Sequence, residues 1–130
     1  MPKFELAAVH VAAAAGRVTV GGARYRARLL PYVREYVAML EFTQAVLLEL
    51  QPEDFINSKQ YEDIGYDAYG VAISDELQER FGLEGFVTWY VKFTVDRDED
   101  GDEVIMASLH GAEEPLKRIG GTLRVQFARG

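Results

Sequence analysis

The segment Phe86–Val95 reads Phe-Val-Thr-Trp-Tyr-Val-Lys-Phe-Thr-Val, a strict two-residue alternation. Side chains alternate across a strand, so Val87, Trp89, Val91, Phe93 and Val95 form one face and Phe86, Thr88, Tyr90, Lys92 and Thr94 the other. A pattern this long leaves little choice but a half-buried strand with the first set inward. Val104–His110 repeats it less cleanly, with Ile105, Ala107 and Leu109 on one face and Ser108 and His110 on the other. The two runs predict an antiparallel hairpin with one polar face.

The chain before Tyr61 follows a different period. Leu6–Ala15 reads as a short amphipathic helix closed by Gly16, and Val18–Val20 as a brief β run. Ala23–Leu30 is Arg-rich and helix-compatible. Pro31 opens a longer helix running to Leu50, with Val33, Val37, Leu40, Val46, Leu47 and Leu50 as its core stripe. Pro52–Ser58 looks like one or two further helical turns. Tyr66–Ser74 reads as a strand and Asp75–Gly85 as a short helix or loop. Thr122–Phe127, after a Gly120-Gly121 turn, is a last strand with Leu123, Val125 and Phe127 inward and Arg124 outward. Helices first and strands later imply an α+β fold, N-terminal helices packed on a small antiparallel sheet. With 130 residues and 48% hydrophobic content, one domain with a real core is expected over residues 1–130, with residues 111–130 as a C-terminal extension supplying an extra strand.

Composition removes several function classes. There is no cysteine, so disulfides, thiolate metal sites and a cysteine nucleophile are excluded. Glu5 and His10 interrupt the first apolar stretch, which is too short to span a bilayer and a poor signal peptide. A cytoplasmic chain with no membrane partner is expected. The net charge of −7 is distributed as +5 over residues 1–34, −16 over Glu35–Glu114 and +4 over the tail. An acidic whole argues against indiscriminate nucleic-acid binding, whereas basic ends suit phosphate or an acidic partner protein. The run Asp96–Glu103 imitates the start of a calcium loop, with Gly101 sixth. Its twelfth position is Ala107 and its flanks are strands, so a solvated hairpin turn is the better reading. No metal ligand set and no cofactor motif stands out.

The constellation with chemical content is Tyr90, Lys92, Ser108 and His110, which neighbouring strands would present together. Histidine suits acid–base work near neutral pH, tyrosine can orient or donate a proton, and lysine can neutralise phosphate. Metal-free RNA cleavage needs little more: a base for the 2′-hydroxyl, an acid for the leaving oxygen, and cations for the developing charge. On pattern alone an ordinary solvated sheet face is the better reading.

Leu50-Gln51-Pro52-Glu53-Asp54-Phe55-Ile56-Asn57-Ser58 resembles the Leu-x-x-x-Asp-Phe-x-Lys-Ser segment of MqsR-family toxins, RelE-like mRNA interferases of toxin–antitoxin pairs. Asp67-Ala68-Tyr69, Trp89-Tyr90-Val91-Lys92-Phe93 and Ser108-Leu109-His110 resemble that family's Asp-Val-Tyr, Tyr-x-Lys and final Ser-Phe-Lys or Ser-Phe-His strands, in the same order over Phe4–His110. The resemblance implies a RelE-like fold, metal-independent mRNA cleavage and neutralisation by a cognate antitoxin, and it leaves a homodimer open. By position it makes Tyr90 and His110 catalytic. Lys92, Asn57, Ser58, Tyr66 and Ser108 become candidate substrate contacts, and Arg124, outside the matched span, is added as a further phosphate contact. Asn57 stands where the family has lysine and Tyr66 where it has glutamine, and losing one such preorganised charge costs about 3–4 kcal/mol of transition-state stabilisation. Two rivals follow: a degenerate member acting as a protein-binding module through the acidic Glu35–Glu114 surface, and a small-molecule enzyme using the same face.

Overall fold

A computed structural model describes residues 1–33 and 35–128; Arg34 and Arg129, two of the charges counted above, lie outside them. In chain order the elements are α1 (Leu6–Ala14), β1 (Val18–Thr19), α2 (Ala23–Leu29), α3 (Tyr36–Glu49), a 3-10 turn (Pro52–Asp54), β2 (Phe55–Tyr61), β3 (Ile64–Ala72), α4 (Asp75–Phe81), β4 (Thr88–Asp98), β5 (Gly101–Gly111), β6 (Leu116–Arg118) and β7 (Gly121–Leu123). The fold is α+β. Its main sheet runs β1-β5-β4-β3-β2 and is mixed rather than purely antiparallel, because β1 pairs parallel with β5. No helix among the described residues is long and apolar enough to cross a membrane.

Local chemistry sets most boundaries. Gly16 takes φ 76° and closes α1, its N–H reaching Ala13 O. Ser74 caps α4 by accepting from Leu77 N at 3.1 Å, and Gly82 ends it in the left-handed region. The helical reading of Pro52–Ser58 is corrected. Gln51 and Asp54 cap each other around a single 3-10 turn, and from Phe55 the chain is strand β2. The helix from Pro31 begins only at Tyr36, and its buried face is Met39, Phe42, Thr43, Val46 and Leu47; Val37 points outward.

The core lies between the helices and the sheet face bearing Trp89, Val91 and Phe93, all fully buried. Trp89 meets Phe42 and Tyr32 edge-on at 5.2 and 5.1 Å, and its indole N–H donates to Phe86 O at 2.8 Å. Along β5 the expected alternation fails. Lys92 pairs with Ser108 but Phe93 with Met106, so Ala107 is a bulge. Val104, Met106 and Leu109 are buried, whereas Ala107 is exposed and Ile105 only half-buried. The expected Ile105–Ala107–Leu109 core face is therefore corrected, while the Ser108–His110 face stands. The acidic run is a tight hairpin, with Asp96, Arg97 and Asp98 paired to Glu103, Asp102 and Gly101.

The last strand is also redrawn. β6 and β7 form a separate two-stranded ribbon, and Phe127 is exposed, making one bridge to Phe86 instead of facing inward. The ribbon lies on the sheet face opposite the helices. Ile119 N and Gly120 N donate to Phe55 O and Glu53 O, anchoring it at the start of β2. Arg118 is paired with Asp54 at 2.5 Å and donates to Gly70 O at 3.2 Å. A Cβ on Gly70 would meet Leu116 at 2.8 Å, so glycine there is what lets the ribbon settle onto β3.

Candidate functional site

Register places the hairpin residues in two rows across the open face. One row is Asn57, Ala68, Lys92 and Ser108; the next is Gly70, Tyr90 and His110. The Ala107 bulge is what returns Ser108 and His110 to the face of Lys92 and Tyr90. Tyr90 and His110 stack with ring centroids 5.3 Å apart and 28° between planes. The sequence-derived cluster is thus brought together in part. Tyr66 joins it from β3. Ser58 does not, because it pairs with Asp67 on the core-side face and its hydroxyl bonds that carboxylate. Arg124 meets the sheet through its backbone, where its carbonyl accepts from Thr88 Oγ1 at 2.7 Å. That contact also buries Thr88, expected on the open face, beneath the C-terminal segment.

Lys92 is directed along the sheet rather than at His110. Its ammonium lies 5.0 Å from the Tyr61 ring centroid and 5.2 Å from that of Tyr66. The two tyrosines meet edge-on at 6.0 Å. Asn57 and Lys59 are exposed neighbours on β2.

The His110 ring is held in one tautomer. Its Nδ1 lies 3.0 Å from Gly111 O, and a carbonyl can only accept, so Nδ1 carries the proton and Nε2 the lone pair. Burial holds its pKa below the ordinary imidazole value. The Gly111 contact and Glu113 act against that, and Arg28 acts with it. Burial pushes the Tyr90 phenol up, with Tyr61 adding to the effect. Near neutral pH the face therefore carries an unprotonated histidine nitrogen beside a firmly protonated phenol, the arrangement of a base and a hydrogen-bond donor. Among the described residues no group of three or more His, Asp or Glu side chains could hold a metal ion.

Two recesses flank His110. One, of about 440 Å³, runs between α2 and β5 and is lined by Gly21–Tyr25, Arg28 and Met106–His110. The other, of about 280 Å³, is bounded by Arg28, Tyr90, His110 and Ala112–Leu116. Arg28, Glu113 and Tyr61 are therefore site residues that sequence reasoning missed. A signal existed for the first, since Arg24 and Arg28 are one helical turn apart in an Arg-rich helix. Tyr61 was hidden by reading the start of its strand as helix.

Comparison with family models, with curated proteins and with solved structures returned no match.

Proposed function

We propose that the chain is a metal-independent endoribonuclease of MqsR/RelE-like type that cleaves single-stranded RNA on the Tyr90–His110 face. The observation that carries this reading is the freed Nε2 of His110 stacked beside a protonated Tyr90 in a recess bordered by the β6–β7 ribbon. In the proposed reaction His110 Nε2 takes the proton of a ribose 2′-hydroxyl. The resulting oxyanion attacks the adjacent phosphorus, and the bond to the 5′-oxygen breaks. Tyr90 supplies the proton to that oxygen, which as an alkoxide is a stronger base than a phenolate. The products are a 2′,3′-cyclic phosphate and a 5′-hydroxyl. Tyr61 and Tyr66 offer faces on which unpaired bases can stack, and Lys92 between them a phosphate contact. Cytoplasmic action and neutralisation by an antitoxin protein belong to the same proposal.

The test is incubation of the purified protein with a long mRNA in EDTA, followed by mapping of the ends. Wild type should leave cyclic-phosphate and 5′-hydroxyl termini and His110→Ala should not. Intact RNA with wild type at high protein concentration would overturn the reading. A second reading, a catalytically silent protein-binding module, is favoured by Glu113 and Glu114 beside His110, since carboxylates repel RNA phosphates. Stable capture of a protein with no RNA cleavage would favour it.

A further inference from the structure

The recess between α2 and β5 holds charge that the proposed chemistry does not use. Arg24 and Arg28 both line it, together with Ser108 and His110. They are four residues apart, so both occupy one side of α2, whereas Arg26 does not line the recess. The chain carries a net charge of −7, yet among the described residues the one ion pair is Arg118–Asp54. Arg24 and Arg28 therefore stand exposed beside a concave surface with no carboxylate within salt-bridge distance. Arginine presents planar, multidentate donors suited to phosphate oxygens.

The recess also continues past His110. Arg28 and His110 line both it and the smaller recess walled by Glu113–Leu116. The groove is thus cationic on one side of His110 and carries Glu113 and Glu114 on the other. A phosphate is favoured on the first side and disfavoured on the second.

We propose that the α2 side of the groove is a phosphate subsite, in which Arg24 and Arg28, with the Ser108 hydroxyl, hold a backbone phosphate of single-stranded RNA next to the bond at His110. The subsite rests on the ribonuclease reading for its ligand class, and its test separates the two. A fluorescein-labelled 2′-O-methyl RNA 12-mer, which lacks the attacking hydroxyl, is titrated by anisotropy over a range of salt. Arg24→Gln and Arg28→Gln should each weaken binding about tenfold and reduce the salt slope by about 0.7. Arg26→Gln removes the same charge outside the recess and should change neither as much. Thermal melts confirm that the variants fold, and glutamine preserves helix propensity.

Equal loss from Arg24→Gln, Arg28→Gln and Arg26→Gln overturns the subsite, because the attraction is then diffuse. So does failure of the wild type to bind the 12-mer. A glutamate decapeptide forms the second arm. Arginine-dependent capture of that peptide without arginine-dependent RNA binding assigns the recess to an acidic protein segment and overturns the proposal. Arginine-dependent RNA binding by a wild type that cleaves nothing supports the subsite and removes only the catalytic reading.

Discussion

Asp67 and His110 occupy opposite faces of one sheet, and their surroundings differ in how completely they are satisfied. The Asp67 carboxylate is fully buried and accepts from Lys3 N and Phe4 N, both at 2.9 Å, and from the Ser58 hydroxyl. It ties the N-terminal segment and β2 to β3, and both of its oxygens are engaged by internal donors. It also helps burial raise the neighbouring Tyr69 phenol to about 12. His110 is only half-buried, spends one nitrogen on Gly111 O, and keeps the other. A polar group whose partners are all internal holds a fold together, and one with a spare lone pair in a groove is available to a ligand. The contrast makes Asp67 structural and His110 chemical.

Substituting each residue should break the two apart in different measurements. His110→Ala should lower RNA cleavage by about 10²–10⁴-fold, the range for removing a general base, with only a small change in melting temperature. A parallel loss of stability and activity would instead make His110 a packing residue. Asp67→Ala should do the reverse and cost about 3–5 kcal/mol, because two backbone N–H groups lose a charged acceptor. Denaturant unfolding measures it, and protein that remains folded should cleave normally. Tyr90→Phe should reduce cleavage by about 10²-fold, the lower end of the same range, without loss of stability, since only one hydroxyl leaves the half-buried stack. Loss of stacking rather than of the hydroxyl is separated by Tyr90→Leu, which should also disturb the His110 ring resonances.

The same contrast explains what the sequence disclosed. Tyr90, Lys92, Ser108 and His110 sit on strands whose opposite face is a continuous core, so burial imprints a two-residue period that can be read directly. The bulge at Ala107 broke that period halfway along β5, which is why Ile105 and Ala107 were misassigned while Ser108 and His110 were not. Strand β2 carries no such imprint. It is an edge strand whose residues from Asn57 onward are exposed, and the mutual caps of Gln51 and Asp54 imitate a helix start. Val37 extended the apolar stripe of α3 in sequence, but the stripe that packs is set by the sheet beneath it. Arg28, Glu113, Leu116 and the ribbon on Gly70 reach the site from elements remote in sequence. No periodicity records such contacts, because only the fold brings them together.

The finest distinction lies in the pH dependence of the two faces. The folded-state pKa of His110 is lowered, so between that value and about 6.5 the unfolded chain binds more protons than the folded one. Stability should rise with pH through that window and gain nothing further from His110 above it; His110→Ala should flatten this portion of the profile. For cleavage, the rising limb of kcat/KM should fall below pH 6.5, because the base is the unprotonated imidazole. Its position tests the local charges. Burial is the largest cause of the shift, so neither neighbour should restore the ordinary value. Arg28→Gln removes a cation that disfavours the imidazolium and should move the limb upward. Glu113→Gln removes a carboxylate that favours it and should move the limb downward. Ser58→Ala, on the Asp67 face, should leave the limb in place. Opposite shifts from Arg28 and Glu113 fix His110 as the titrating group. A common shift, or none, assigns the limb to another residue and returns His110 to the class of Asp67, a polar group whose work is structural.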